Sequence, residues 1–221
     1  MRIALLGGTG DIGEGLALRL ARDTDHDVVV GSRDAEKAAS AANEYRATLD
    51  EHDHDAMVDA AENDDAAAGA DIVVLSVPAY YLSDTIDAVA DELEDAVLVS
   101  PAVGMQRDED GVSYNPPGVG SVTQLAAATA PEDVPVVGAF HNLAAARLAD
   151  LEADLEWDVP VVGDDEAAKE TVMAVTAELE SLRALDAGGL ANASEVEAVT
   201  PLLINIASNN EGMHDLGVRF R

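Results

Sequence analysis

The sequence predicts an α/β fold, a doubly wound parallel sheet with a small C-terminal domain. Three observations point there. Short β-branched runs alternate with alanine-rich stretches of helical period. Those runs are apolar throughout, and the first is followed at once by Gly8-Thr9-Gly10-Asp11-Ile12-Gly13. Strand–helix alternation favours a doubly wound sheet, and uninterrupted apolar strands suit burial on both faces. In chain order the strand candidates are residues 3–6, 28–30, a weak 57–58, 72–77, 97–100, 136–139 and 159–162. Between them, Ile12, Leu16 and Leu20 share one helix face, as do Thr85, Val89 and Leu93. The stretch 50–65 is acidic and alanine-rich and reads as a solvated helix and loop within a crossover.

The pattern changes near residue 140. A helix over about 165–181, the Gly188-Gly189 break and a last helix come after the strand at 159–162. This piece is too small for an independent enzyme core. The expected division is therefore residues 1–140 as a dinucleotide-binding domain and 141–221 as a small domain covering the cleft at the strand ends.

Composition narrows the function. With 48% apolar residues the chain of 221 can bury a sizeable core. Its 44 acidic residues against 12 basic ones leave a formal net charge of -32, spread over the whole chain. No basic stripe exists for nucleic acid or an anionic membrane. Such self-repulsion weakens a compact state unless salt screens it. With only two lysines, Lys37 and Lys169, the composition resembles that of haloarchaeal proteins. Cysteine is absent, which excludes disulfides and thiolate chemistry. The opening apolar run is too short for a signal peptide, and the longest apolar runs are strand-sized. A cytoplasmic protein is expected.

The segment Gly8 to Gly13 sits after a strand and opens an amphipathic helix, the context of the Rossmann-type dinucleotide fingerprint. Gly8 is expected to permit the turn, Gly10 to let the backbone reach the pyrophosphate, and Gly13 to let helix and strand pack. The helix N-terminus then offers free N–H groups to the phosphates. The second strand ends on Gly31-Ser32-Arg33. An NAD site carries a carboxylate here; Gly31 removes it, and Ser32, Arg33 and Lys37 offer a hydroxyl and two cations to a 2′-phosphate. NADP is therefore expected. The competing reading pairs Arg33 and Lys37 with Asp34 and Glu36 on a helix surface, and Asp34 could also partly neutralise the site.

The sequence resembles the NADPH-dependent reductases of the deazaflavin coenzyme F420, also called F420H2:NADP oxidoreductases. The residues carrying the resemblance are Ala4-Leu5-Leu6-Gly7-Gly8-Thr9-Gly10, Val29-Val30-Gly31-Ser32-Arg33 and Trp157-Asp158-Val159-Pro160-Val161. Leu185-Asp186-Ala187-Gly188, Thr200-Pro201-Leu202 and Leu216-Gly217 complete it, so it spans essentially the whole chain. The resemblance implies direct hydride transfer between NADP(H) and F420, with the deazaflavin roofed by the C-terminal domain. It implies Thr9, Ser32, Arg33 and Lys37 on the 2′-phosphate side and His141, Thr200 and Leu216 beside the deazaflavin. Val77, Pro78 and Val103 complete the expected cofactor-binding set. The family pattern has a serine where this chain has Ala198, so one ring contact is expected to be absent.

Cofactor-to-cofactor hydride exchange demands positioning and water exclusion rather than a catalytic side chain. Sugar-acid and 2-hydroxyacid dehydrogenases need a lysine on a large helical domain; Lys169 falls on an expected surface helix. Ser194 and Glu197 have capping-box spacing, and Val196, Val199, Leu203 and Ile206 form the expected buried face of the last helix. Pro201 is expected to kink that helix, and Thr200 to bond either the ring or its own helix. His141, at a strand end, is expected to position the ring. One of Tyr80 and Tyr81 is expected near the nicotinamide or the deazaflavin. The run His52-Asp53-His54-Asp55 reads as an acidic loop rather than a metal site. Two other functions remain open: an NADP-linked reductase of a flavin, metal chelate or imine, and a non-catalytic NADP-binding sensor. The expected partners are small molecules, with a homo-oligomer possible.

Overall fold

The computed structural model describes residues 1–221. Strand β1 (Arg2–Leu6) leads into helix α1 (Asp11–Asp23), β2 (Asp27–Ser32), α2 (Ala35–Glu51), β3 (Val58–Glu62) and the short α3 (Asn63–Ala67). Next come β4 (Ile72–Leu75), α4 (Leu82–Val89), β5 (Val97–Ser100), the hairpin β6 (Met105–Asp108) and β7 (Gly111–Tyr114), and α5 (Val122–Thr129). The chain ends with β8 (Val136–Gly138), α6 (Ala145–Ala149), β9 (Trp157–Gly163), α7 (Glu166–Glu178), β10 (Leu182–Asp186), α8 (Ala193–Glu197) and α9 (Val199–Asn209).

Eight strands form one sheet in the order β10-β9-β8-β5-β4-β1-β2-β3, parallel except for the β8–β9 pair. Helices cover both faces. Leu16, Leu20, Tyr45, Leu49, Val172 and Val175 pack on one side, and Leu82, Ile86, Leu93, Val122 and Ala126 on the other. The central strands are apolar because neither face meets water. Arg19 is an unexpected core residue. Its guanidinium donates to the carbonyls of Leu148, Asp150 and Ala153, tying α6 and the segment after it to α1. No helix is long and apolar enough to cross a membrane.

Several expectations are corrected. Residues 50–65 hold the expected helix end and exposed loop, but also the full edge strand β3 and the start of α3, which were not expected. The segment at 57–58 is the entry to a five-residue strand whose burial alternates poorly. Lys169 is buried, with Nζ 2.9 Å from Glu166 and 3.1 Å from Asp186, so it is not on a surface face. Pro201 lies in the first turn of α9, and the helical run is broken at Ala198, three residues before it, where α8 ends and α9 begins; the expected break near Glu197 is present. Of the expected buried face, Val196, which belongs to α8, is buried, Val199 and Leu203 are half-buried, and Ile206 is exposed.

Candidate active site

The parallel strands β1, β2, β4, β5 and β8 all end at one edge, and two cavities open there. The first, about 320 Å³, is built on the glycine loop. Gly7, not Gly8, carries the left-handed turn, with φ of 72°. A Cβ there would stand 2.5 Å from Val77 Cγ1 and 3.0 Å from the Ser76 carbonyl. Gly8 is needed for a different reason, because a Cβ would lie 2.7 Å from the Leu5 carbonyl oxygen. Gly13 packs against Gly8, where a Cβ would fall 2.5 Å from its Cα. At Gly10 the nearest atom to a Cβ is 3.7 Å away, so the backbone is open to a close-lying phosphate. Gly10 is also the uncapped N-cap of α1, leaving the first N–H groups free. Ser76 borders the same cavity with a buried hydroxyl that has no partner in the protein. These features fit a pyrophosphate.

Thr9, Ser32, Arg33, Lys37, Val77 and Pro78 all line this cavity. Asp11 is exposed outside it, and Ile12 turns into the core. Gly31 leaves little room for a side chain: a Cβ would stand 2.8 Å from Asn63 Oδ1, the atom that accepts from the Gly7 N–H. Asp34 does not neutralise the cations. Its carboxylate accepts from the N–H groups of Glu36 and Lys37 as the N-cap of α2, and neither Arg33 nor Lys37 forms an ion pair. Tyr81 lines this cavity and stands under Arg33, whose guanidinium carbon lies 5.3 Å from the ring centroid. Tyr80 is exposed and not part of the cavity.

The second cavity, about 500 Å³, is mostly apolar and is lined by Asn142, Leu143, Thr200, Leu203, Met213 and Leu216 among others. His141 stands behind its wall. The ring is buried, with Nε2 3.2 Å from Thr123 Oγ1. Burial lowers its pKa to about 3, so it is neutral. Thr123 donates its only proton to Glu197 Oε1 at 2.9 Å, so its oxygen accepts from the Nε2–H of His141. That tautomer leaves Nδ1 as an acceptor without a protein partner. The backbone carbonyl of His141 accepts from Thr200 Oγ1 at 2.6 Å. Thr200 therefore bonds across the molecule, not to its own helix. Val103 is half-buried after β5 and lines neither cavity.

The chain matches, over residues 2–104, the family described as NADP oxidoreductase coenzyme F420-dependent. It is 39% identical over 209 residues to the F420-dependent NADP reductase of Methanocaldococcus jannaschii, covering 93% of this chain and 92% of that protein. The chain belongs to the F420-dependent NADP reductase family. The F420-dependent NADP reductase of Methanothermobacter thermautotrophicus is 37% identical over 222 residues, with 99% of this chain and 94% of that protein covered. A crystal structure of a candidate F420-dependent NADP reductase from Arthrobacter sp. FB24 superposes with a TM-score of 0.81 at 28% identity, covering 100% of this chain and 99% of that one.

Within this member of the family, sequence reasoning missed four supports of the site. Tyr45 donates from its buried hydroxyl to the Gly8 carbonyl at 3.0 Å, fixing the loop from behind. Asn63 accepts from the Gly7 N–H at 3.4 Å. Thr123 orients His141, and Glu197 is not the capping-box partner of Ser194, which bonds Glu195 instead. Glu197 is fully buried and caps a different helix, α5, accepting from the N–H groups of Val122 and Thr123 and from the Tyr114 hydroxyl. Only the tyrosine carried a signal, as a large residue on the buried face of an otherwise alanine-rich helix.

Proposed function

We propose that this chain moves a hydride directly between NADP(H) and the deazaflavin coenzyme F420. The observation that carries the reading is a pair of cavities at one edge of the sheet, in a chain of this family. One bears the glycine loop with Ser32, Arg33 and Lys37, and the other is apolar and bears Thr200 and Leu216. The nicotinamide and the deazaflavin supply the hydride chemistry when bound.

The protein's own task is to hold and to exclude. The loop amides and the start of α1 take the pyrophosphate, and Ser32, Arg33 and Lys37 take the 2′-phosphate. Leu143, Leu203 and Leu216 give the second cavity a wall that keeps water from the reacting carbons. His141 keeps its Nε2 proton on Thr123 and serves as a fixed neutral post, not as an acid. In this reading residues 1–140 carry NADP, and residues 141–221 close the F420 pocket while sharing the sheet.

The same reading places the enzyme in the cytoplasm of a salt-adapted cell, with small molecules as its partners and neither nucleic acid nor membrane. The exposed Leu202 and Ile206 on α9 favour association between copies. Purified protein in concentrated KCl, supplied with NADPH and in turn with F420, a flavin, a ferric chelate and a cyclic imine, tests the function. Rapid NADPH oxidation with F420 alone is expected. Turnover of another acceptor with F420 inert overturns the assignment, and NADPH binding without any turnover favours a sensor.

A further inference from the structure

The C-terminal tail enters the second cavity through Met213, His214, Asp215 and Leu216, and residues 217–220 beyond them are clamped to β9. Asp158 in β9 is 1% exposed, and a carboxylate buried that deeply demands partners. Arg183 supplies two, with Nε 2.8 Å from Oδ1 and Nη2 2.7 Å from Oδ2. These bonds hold the Asp158 carboxyl below the usual carboxylate range, so it is ionised. The Phe220 N–H donates to Oδ2 at 2.6 Å, and Arg183 Nη2 also donates to the Phe220 carbonyl at 2.8 Å.

The backbone of Asp158 is engaged as well. Its N–H donates to the Val218 carbonyl at 2.7 Å. Its carbonyl accepts from Asn142 Nδ2 at 2.8 Å, and Asn142 lines the second cavity. Gly217 lies flat against Trp157, where any Cβ would overlap the indole. One residue thus joins the fixed wall of the cavity, through Asn142, to the tail that forms its opposite wall.

We propose that Asp158 and Arg183 are positioning residues for the second cofactor: by clamping residues 217–220 to β9 they hold residues 213–216 against the deazaflavin. This rests on the reading that the second cavity takes F420. Entry then requires only the span between α9 and Gly217 to move, since both of its ends are fixed.

Hydrogen exchange of residues 213–220 and fluorescence titration of F420, each on the full chain in concentrated KCl, test the clamp. Arg183 is half exposed, so Arg183→Gln opens no cavity, but it leaves the buried Asp158 charge short of partners. Arg183→Gln combined with Asp158→Asn, which removes that charge, is the companion variant, and both are first shown to be folded by their melting transitions. In wild type, F420 should slow exchange of the tail. In Arg183→Gln the tail should exchange faster and the F420 dissociation constant should rise by about tenfold, the loss of a bidentate charge-assisted pair. The dissociation constant for NADPH should stay within about twofold, since no clamp residue touches the first cavity. A freed tail with unchanged F420 affinity, or a tail whose exchange does not respond to either variant, overturns the proposal. Wild type that binds no F420 sinks the functional reading instead, and the clamp's role with it.

Discussion

The Thr200 hydroxyl donates to the main-chain carbonyl of His141 at 2.6 Å, a bond that joins two residues 59 positions apart. It fastens the first turn of α9 to the loop after β8, at the mouth of the second cavity. Removing it separately from the side-chain volume is possible with Thr200→Val. Stability should fall by about 0.5–1.5 kcal/mol, the worth of one neutral hydrogen bond. F420 affinity should fall severalfold while NADP affinity holds. Denaturation midpoints and separate Michaelis constants for the two cofactors check both parts; equal losses for the two would place Thr200 outside the F420 pocket.

In the proposed reading Arg33 takes the 2′-phosphate, with Tyr81 beneath its guanidinium. Arg33→Ala should raise the Michaelis constant for NADP by at least about tenfold and that for NAD little, since a bond to a charged phosphate is worth about 1.5–3 kcal/mol. Tyr81→Ala should cost less, roughly two- to fivefold, as expected of an exposed cation–π contact. Tyr81→Phe should restore wild-type behaviour. Parallel kinetics with both dinucleotides decide the matter, because equal effects would show that neither residue discriminates.

His141 provides a pH signature. Its folded pKa is about 3, against about 6.5 in an unfolded chain. The unfolded state therefore binds a proton first as pH falls. The stability contributed by the neutral ring is complete above about pH 6.5 and is lost progressively as pH falls toward 3. Ring resonances of His141 should stay fixed between about pH 5 and 8, the range in which an unperturbed imidazole titrates. A His141 resonance that titrates near pH 6.5 would contradict the buried, Thr123-bonded geometry.

The net charge of -32 predicts that salt stabilises the fold. Screening lengths shrink from about 10 Å at 0.1 M to about 3 Å at 1 M, so thermal unfolding should move steadily upward with KCl. Flat melting temperatures from dilute buffer to concentrated KCl would remove the salt-adapted reading without touching the enzymatic one.

Legibility in the sequence tracks burial. The central strands are apolar on both faces, and the apolar runs mark β1, β2, β4, β5 and β8 close to their true bounds. Edge strands carry no such mark: Val58–Glu62 holds two acids, and Leu182–Asp186 holds Arg183, because one flank of each meets water or the tail. The glycine loop and Ser32, Arg33 and Lys37 are legible because their spacing is set by one contiguous turn. Glu197 misleads, since its partners on α5 stand 74 and 75 residues earlier and Ser194 offers a local decoy. The last helix misleads for the same reason: a helical period in Leu203 and Ile206 does not say what the face meets.

The most direct measurement traces a label. NADPH carrying deuterium at the transferring carbon is mixed with F420 and the protein in concentrated KCl, and the reduced deazaflavin is examined by mass spectrometry. Direct transfer between the two bound rings predicts that each molecule of reduced F420 gains the deuterium, with none passing to water. Unlabelled product with deuterium in the solvent, or NADPH oxidation that leaves F420 unreduced, would contradict it.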